Sequence, residues 1–284
     1  MSYSKSIIRE MKKEILVFKP FCICKELNDW EKIILLLNEK DFIDVYKKKI
    51  QTEIDGYNLK LRLVKLSDID PVYDFIITHF SEEYREDVSK YDLFRFIKYG
   101  HGLLLENAQN EIMGCLFGIG YEKDIKISYS IRLGIDRSLK GKGMGRLLTV
   151  YSCLLAMESG AQIKIGLISY NNLVSLHIHV NQAGWLVDAF YHDLNSLGLS
   201  FEFSLSLTPE ALLLNRIDLD KVQTYIAEHQ EGLDYLLVKV DDIEAIKTIY
   251  ENKIFKIVAI IISKRKDDNP LFFAMPVEML CEKQ

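Results

Sequence analysis

The chain of 284 residues is 49% hydrophobic and 27% charged, the composition of an ordinary soluble globular protein with room for one large domain or two small ones. Its net charge of −5 disfavours nucleic-acid binding, which needs an excess of Lys and Arg. No uncharged apolar run reaches the roughly 18 residues of a membrane span, and no apolar segment follows the early basic residues. We therefore expect a cytoplasmic protein without a signal peptide or membrane contact.

Five cysteines, an odd number, are scattered along the chain, which favours reduced thiols over a disulfide framework. Cys22 and Cys24 lack a second pair at metal-ligand spacing, so we predict no metal site. In an extended segment both would point to one packing face. Cys115 and Cys153 lie in apolar runs and are predicted to be small core residues.

Residues 1–58 are predicted to form an N-terminal strand-and-helix extension. Residues 14–24 are predicted to be extended. Residues 28–52 carry apolar side chains at helical spacing, with acids early in the helix where they favour its dipole. The turn signal at residues 56–58 marks the boundary of the next section.

Residues 59–207 are predicted to form the main domain. Strand-like alternation comes first, and Pro71 then suits the first turn of a helix. The elements predicted in the first half are a strand at 59–66, helices from Ser67 and at 87–99, and a hairpin of residues 102–106 and 112–120.

A glycine-rich segment follows the next apolar strand and opens an amphipathic helix. Three glycines at alternate positions are interleaved with basic residues: Gly141, Gly143 and Gly145, with Lys140, Lys142 and Arg146. Glycine lets a ligand approach the main chain closely, and the amides of a helix N-terminus suit a phosphate. The segment therefore predicts a cradle for a pyrophosphate.

Spacing separates the phosphate-binding loops. A P-loop needs Lys and then Ser or Thr after its second glycine, but Arg146 and Leu147 follow Gly145. The dinucleotide fingerprint needs G-x-G-x-x-G and an acidic residue about 20 positions later. This loop is G-x-G-x-G, and the next strand ends without a carboxylate at Tyr170. A glycine-rich turn that only starts a helix stays open as an alternative.

Helices and strands alternate after the loop. Residues 146–159 carry one apolar stripe and stop before Gly160, which suits a helix C-cap. A strand is predicted at 162–170, and Asn172 then caps a helix that runs toward Gly184. Residues 186–191 and 200–207 are predicted to form a second hairpin across 195–198.

The loop resembles the acetyl-CoA loop of the GNAT-type N-acetyltransferases, in which Arg or Gln precedes two residues, Gly, one residue, and Gly or Ala. Lys140 replaces the usual Arg or Gln. The next helix resembles the same family's pattern of Asn, Ala or Ser, Tyr or His, Gly and an aromatic residue, which here are Asn172, Ser175, His179, Gly184 and Trp185. The last interval is one residue longer than usual, which predicts a bulge or shift at the helix end.

The resemblance implies a GNAT fold of the α/β (α+β) type, with a central mixed, mostly antiparallel sheet flanked by helices and with N- and C-terminal additions. It implies an N-acetyltransferase that transfers the acetyl group of acetyl-CoA, its cosubstrate, to a primary amine of a small molecule, peptide or protein by direct attack. It implies no metal. The residues implied in cofactor binding are Leu133, Gly134 and Ile135 for the pantetheine arm, Lys140, Gly141, Lys142, Gly143, Met144, Gly145 and Arg146 for the pyrophosphate, and Asn172 and Ser175.

Two residues are candidates for catalysis. His179 stands where the family carries its proton-donating tyrosine, and an imidazole titrates close to neutrality; the alternative is packing against the cofactor or at the helix surface. Tyr129 stands where many members carry a Glu base. With a pKa near 10, tyrosine is a poor base, so Tyr129 would orient the acceptor or a water, or simply pack in the strand. Glu82, Glu83 and Glu122 are further carboxylates that a loop could bring to the site.

Residues 208–284 are predicted to form a small α+β section of unknown role. No second glycine-rich loop occurs there, which argues against a second active site. The predicted elements are helices at 219–229 and 241–251 and strands at 235–240, 255–263 and 271–277.

The sequence leaves the acceptor, the acyl chain length and the oligomeric state open. Acidic residues in segment 76–99 suggest a cationic acceptor. The absence of the strand Glu favours a second hypothesis, a non-catalytic acyl-CoA-binding protein that regulates or contacts a partner.

Overall fold

The structure is a computed structural model that describes residues 16–19, 21–79, 88–121, 127–193, 198–232, 234–252, 254–262, 270–277 and 280–283. The strands are β1 (Leu16–Phe18), β2 (Lys60–Leu63), β3 (Gly100–Glu106), β4 (Ile112–Tyr121), β5 (Ile127–Ile135), β6 (Ile163–Ser169), β7 (Leu186–Asp193), β8 (Gly198–Ser206), β9 (Leu236–Lys239), β10 (Phe255–Ile261), β11 (Leu271–Pro276) and β12 (Cys281–Lys283). The helices are α1 (Asp29–Ile34), α2 (Glu39–Asp55), α3 (Ile69–His79), α4 (Lys90–Tyr99), α5 (Met144–Glu158), α6 (Leu173–Leu176), α7 (Pro209–Leu214), α8 (Leu219–Glu228) and α9 (Ile243–Asn252). A π-helical segment, His177–Gln182, directly follows α6 and is called the π-turn below.

A seven-stranded sheet in the order β2-β3-β4-β5-β6-β8-β7 forms the centre of the molecule. Its neighbouring strands are antiparallel except for β5 and β6, which are parallel. Helices α2 and α5 pack in one hydrophobic cluster, and α3 and α4 pack in another that uses alternate residues of β3 and β4. The fold class is therefore confirmed as a mixed, mostly antiparallel sheet flanked by helices.

The parallel pair β5 and β6 separates part of the way along. Their register runs only from Ile127 opposite Ile163 to Ser130 opposite Gly166. The register of β5 against β4 shifts directly after Ser130, which leaves Ile131 as a β-bulge. Beyond this point β5 pairs with β4 and β6 with β8 in the described residues. The two central strands therefore diverge toward their C-terminal ends.

The predicted single helix at 28–52 is wrong, because the structure has two helices there. Asn28 caps α1 in a reciprocal pair with Glu31, and Asn38 caps α2 by accepting the amide of Asp41. In the described part of the predicted extended segment 14–24, the structure has the short strand β1, a 3₁₀ turn at Phe21–Ile23 and an isolated bridge of Cys24 to Ile217.

The N-terminal cysteines also differ from the prediction. Cys22 is exposed and Cys24 is buried, since a 3₁₀ turn does not point alternate residues to one face. Cys115 and Cys153 are fully buried, as predicted. Helix α2 of the N-terminal section packs against α5 of the main domain in one hydrophobic cluster.

The C-terminal section repeats the topology of the second half of the main domain. Strands β9, β11 and β10 form a sheet in that order, as β6, β8 and β7 do, and α9 holds the place of α6. The two hairpins even share a bulge, after Val187 in β7 and after Ile257 in β10. The five predicted C-terminal elements are present with small changes of bounds, while α7 and β12 were not predicted.

Asn181 in the π-turn joins this section to the main domain. Its side-chain Nδ2 donates to Ile260 O at 2.7 Å, and its Oδ1 accepts from Ile260 N at 3.0 Å. Lys256 forms an ion pair with Asp188 of β7 at 2.7 Å. The C-terminal section is therefore anchored to the π-turn, the segment that carries His179, and to the neighbouring strand β7.

Several predictions lie outside the described residues: those on Glu82, Glu83 and Glu122, the acidic part of segment 76–99 up to residue 87, and most of the turn at 195–198. Within the described ranges, no helix has the length and apolarity needed to cross a bilayer. The same ranges contain no cluster of three or more His, Cys, Asp or Glu side chains placed to hold a metal ion.

We expect Asn181→Ala to destabilise the protein by about 2–4 kcal/mol, because it leaves the buried N–H and C=O of Ile260 without their partners. Urea unfolding measures the change. Asn38→Ala, which removes an exposed helix cap, is the matched control and should cost about 1 kcal/mol. A loss for Asn181→Ala no larger than that of the control would contradict this account of the anchor.

Candidate functional site

The glycine turn lies directly after the diverging end of β5. Asp136 caps a short 3₁₀ turn by accepting the amide of Ser138 at 2.8 Å, and its own amide donates to Met113 O. Gly141 and Gly143 then adopt φ of 78° and 77°. A Cβ at either glycine would meet no atom within 4 Å, so conformation and not contact requires glycine here.

The turn presents main-chain amides. Gly143 is the N-cap of α5, and no side chain caps this end. Leu147 N bonds to Gly143 O, but the amides of Gly141 and of residues 143–146 have no acceptor among the described residues. Those donors stand at the positive end of the α5 dipole. The structure therefore forms the amide-lined turn that the glycine spacing predicts.

The predicted cofactor residues from Leu133 to Arg146 follow one another along the chain, from the end of β5 to the first turn of α5. Leu133 approaches the start of α5, since its Cδ2 lies 3.7 Å from a Cβ built on Gly145. Gly134 and Ile135 pair with β4, opposite Cys115 and Gly114. The remaining residues are exposed Lys140, Gly141, Lys142 and Gly143, buried Met144 and Gly145, and half-buried Arg146.

Asn172 and Ser175 begin the second helix. The side chain of Asn172 accepts the amide of Ser175 at 3.1 Å and so acts as the predicted N-cap. The π-turn follows, and Gly184 has φ of 77°. A π-turn holds one more residue than an α-helical turn, so it accommodates the extra residue before Gly184. The predicted bulge at the helix end is confirmed.

His179 lies within the π-turn and is 4% exposed. Its Nδ1 donates to Ser175 O at 2.8 Å, and its ring meets Trp185 edge-on with centroids 5.0 Å apart. Burial lowers the pKa of His179 to about 4. The expectation that this imidazole titrates near neutrality is therefore wrong, because at pH 7 the ring is neutral and Nε2 can accept but not donate a proton.

Tyr129 lies on the other face of the sheet. Trp185 packs in the same hydrophobic cluster as α5. A Cβ at Gly166 would lie 3.2 Å from the Trp185 ring and 3.6 Å from the Cβ of Ser130, so Gly166 and Ser130 face the α5 side of the sheet. Alternation along β5 turns Tyr129 to the opposite face. His179 contacts Trp185 on the α5 side of the sheet, and Tyr129 lies on the opposite face.

Sequence reasoning missed His79 and Asp136. His79 Nε2 lies 2.8 Å from Asp136 Oδ2, and its Nδ1 lies 2.9 Å from Phe75 O. Hydrogen bonds from Ser138 and His79 hold the pKa of Asp136 below its usual value. This pair ties the end of α3 to the start of the glycine turn, and a separation of 57 residues gives no local signal for it.

A scan of protein-family models gave no match, and neither did a search of curated proteins. Solved structures match about half of this chain. One is the NatC complex bound to Gag peptide and CoA, at 14% identity over 53% of this chain and 99% of that chain, with a TM-score of 0.46. Another is an IAA acetyltransferase from Bacillus cereus, at 12% identity over 52% and 99%, with a TM-score of 0.42. A third is a spermidine N-acetyltransferase mutant from Vibrio cholerae, at 14% identity over 55% and 97%, with a TM-score of 0.43. At these values the matches assign no family.

We expect acid to destabilise the wild type more than His179→Phe. Between pH 6.5 and about 4 the unfolded chain binds a proton at His179 that the folded chain does not, so folded stability is lost as the pH falls through this range. The free energy of unfolding of the wild type minus that of His179→Phe should change by up to about 1.4 kcal/mol per pH unit.

Urea unfolding at a series of pH values measures this difference. Ser175→Ala is the matched control, because it keeps the carbonyl that His179 Nδ1 bonds at 2.8 Å and removes only the longer contact of the Ser175 hydroxyl at 3.4 Å; it should retain the wild-type slope. A wild-type-minus-His179→Phe difference that stays flat from pH 6.5 to 4 would show that the ring titrates normally in the folded protein.

Proposed function

We propose that this chain is a GNAT-type N-acetyltransferase that transfers the acetyl group of acetyl-CoA to a primary amine. The observation that carries the proposal is the amide-lined turn from Gly141 to Arg146, placed directly beyond the strands that diverge. Diverging parallel strands leave main-chain groups of β5 without a strand partner on one side. The turn suits the diphosphate of acetyl-CoA, and the open edge of β5 suits its pantetheine arm.

In this proposal the amides of the turn hold the diphosphate, with Lys140 and Lys142 supplying positive charge. The main chain of Leu133 to Ile135 pairs with the pantetheine arm, and Asn172 and Ser175 border the arm from the next helix. The thioester then reaches the point where β5 and β6 separate, near Ser130.

The reaction is attack of a neutral amine on the thioester carbonyl. A nitrogen–carbon bond forms, the carbon–sulfur bond breaks, the ammonium proton passes to a base or water, and the thiolate leaves or is protonated. Holding both reactants in place supplies much of the rate. We propose that His179 acts as a hydrogen-bond acceptor through Nε2, since its ring is neutral at pH 7. Tyr129 orients the amine from the opposite face.

A second candidate function is binding of acyl-CoA without catalysis. Two observations favour it: Tyr129 stands where the resemblance expects a Glu base, and the pKa of His179 is too low for a proton donor at neutral pH. Both candidate functions require coenzyme A to bind at the glycine turn, but only the acetyltransferase releases free coenzyme A from acetyl-CoA. A binding experiment therefore tests what they share, and an activity assay distinguishes them.

We expect acetyl-CoA to raise the melting temperature of the wild type and Gly143→Ala to weaken its binding at least about tenfold. An added methyl group at φ of 77° strains the turn and enters the space beside the amides. Gly232→Ala is the matched control, because Gly232 also has a positive φ of 90° and open space around its Cα.

Both substitutions should cost about 1–2 kcal/mol of stability, while only Gly143→Ala changes affinity. Calorimetric titration with coenzyme A measures this. The absence of any melting shift at millimolar coenzyme A or acetyl-CoA would end the proposal.

We expect acetyl-CoA-dependent thiol release with at least one amine from a panel of polyamines, amino acids, lysine peptides and peptide N-termini. Tyr129→Phe should lower kcat/KM about tenfold or more while the affinity for coenzyme A stays unchanged, because the hydroxyl acts on the amine. Tight cofactor binding without thiol release across the panel would favour the non-catalytic function. Unchanged kcat/KM in Tyr129→Phe would leave this residue a packing role.

A further inference from the structure

A cleft of about 650 Å³ lies beside the glycine turn. Its walls come from α1 and α2, the first turn of α5, the π-turn and residues 216–219. The α5 and π-turn walls belong to the region that resembles acetyltransferases. The remaining walls come from the N-terminal section and from the chain after β8, so sections outside the resemblance complete this cleft.

Cationic side chains predominate in the cleft although the chain as a whole carries a net charge of −5. The charged lining residues are the bases Lys25, Lys49, Arg146 and Arg216 and the acids Glu31, Glu53 and Asp218. The acids are already engaged within the protein. Glu53 is shared by Arg146 at 3.3 Å and Lys49 at 3.7 Å, and Asp218 accepts two amides as the N-cap of α8. One carboxylate for two cations leaves a positive excess.

Arg216 is the most buried of these cations, with 6% exposure. Its Nη1 donates to Glu31 Oε1 at 2.7 Å, and its Nε donates to Leu213 O at 2.9 Å. Its Nη2 is buried and has no acceptor within the described ranges. A buried guanidinium nitrogen without an acceptor is uncommon in folded proteins, and its charge and donor geometry favour an oxyanion.

Aromatic rings stand next to these cations. Trp30 and Tyr46 both line the cleft, with ring centroids 5.6 Å apart in an edge-to-face arrangement. Lys49 Nζ lies 5.7 Å from the centroid of Trp30. Flat apolar surface beside positive charge suits a ligand in which a planar ring is joined to an anion.

We propose that this cleft binds a phosphate monoester carried by a ring-bearing small molecule, with Arg216, Lys25 and Lys49 as its cationic contacts. Two sources share this chemistry. One is the terminal phosphate monoester on the nucleotide end of the cosubstrate, and this source rests on the proposed function, since Arg146 belongs both to the diphosphate turn and to the cleft. The other is a separate phosphorylated molecule that binds beside the cosubstrate.

The test uses calorimetric titration of the full chain with coenzyme A, 3′-dephospho-coenzyme A and adenosine 3′,5′-bisphosphate. The main variant is the double substitution Glu31→Gln with Arg216→Met, because removing one partner alone strands a buried charge. Lys25→Met is a second variant at an exposed residue, which keeps the test valid if the double variant does not fold. Lys32→Met, on α1 but outside the cleft lining, is the matched control.

We expect the wild type and Lys32→Met to bind coenzyme A at least about tenfold more tightly than its dephospho form. The double variant should reduce that ratio to about one, and Lys25→Met should reduce it several-fold. If both coenzyme forms bind equally and the bisphosphate binds in addition to dephospho-coenzyme A, with loss in the variants, the phosphate belongs to a separate ligand.

The remaining outcomes separate the two proposals. If neither coenzyme form binds but the bisphosphate does, and the variants abolish that binding, the cleft proposal holds and the acetyltransferase proposal fails. If the bisphosphate does not bind and the two coenzyme forms bind equally, or if the variants leave every affinity unchanged, the cleft proposal is overturned.

Discussion

The divergence of β5 and β6 is the feature on which the rest of the site depends. Four residue pairs hold these parallel strands together, and the bulge at Ile131 then turns β5 toward β4. Each strand keeps its outer partner, so the sheet opens between them without losing the hydrogen bonds on their other sides. Trp185 packs over Gly166 at the point of separation, which is possible because Gly166 carries no side chain there. The same ring packs edge-on against His179, whose pKa is lowered by burial.

A buried polar chain links the N-terminal ends of β6 and β3 to α5. Lys164 Nζ donates to Ser152 Oγ at 2.5 Å, and Ser152 Oγ lies 2.7 Å from His101 Nε2. Burial lowers the pKa of Lys164 to about 8 and that of His101 to about 3. The neutral His101 ring can therefore accept a hydrogen bond from the Ser152 hydroxyl. These bonds tie β6 and β3 to the middle of α5. The pairing of β5 with β6 lies at this end of the two strands, and the divergence lies at the end that meets the glycine turn.

Local sequence signals predicted the parts of the site that depend on backbone conformation. The positive φ of Gly141 and Gly143 follows from glycine spacing at a helix start, and the extra residue before Gly184 produced the π-turn. Tertiary effects were not predictable in this way. Burial in the folded protein lowers the pKa of His179. The contacts of Asp136 with His79 and of Arg216 with Glu31 join residues 57 and 185 positions apart.

The broken N-terminal helix shows a limit of a different kind. Apolar residues continue at helical spacing through Leu35 to Leu37, so periodicity alone predicts one helix. The N-cap of Asn38 starts a new helix at that point. Two helices can then bend around the core, which brings Trp30 and Tyr46 together beside the start of α5.

The terminal sections bear on the site because they complete the hydrogen bonds of the π-turn. Lys19 Nζ donates to Val180 O at 2.6 Å, Ile217 N donates to Asn181 O, and the Asn181 side chain bonds both backbone groups of Ile260. A π-turn departs from regular helical bonding, so partners outside the helix stabilise it. The N-terminal section supplies one partner, Lys19, and the C-terminal section supplies two, Ile217 and Ile260. The orientation of His179 therefore depends on residues far from the glycine turn, and this dependence gives the N- and C-terminal sections a physical reason to be part of one folded unit.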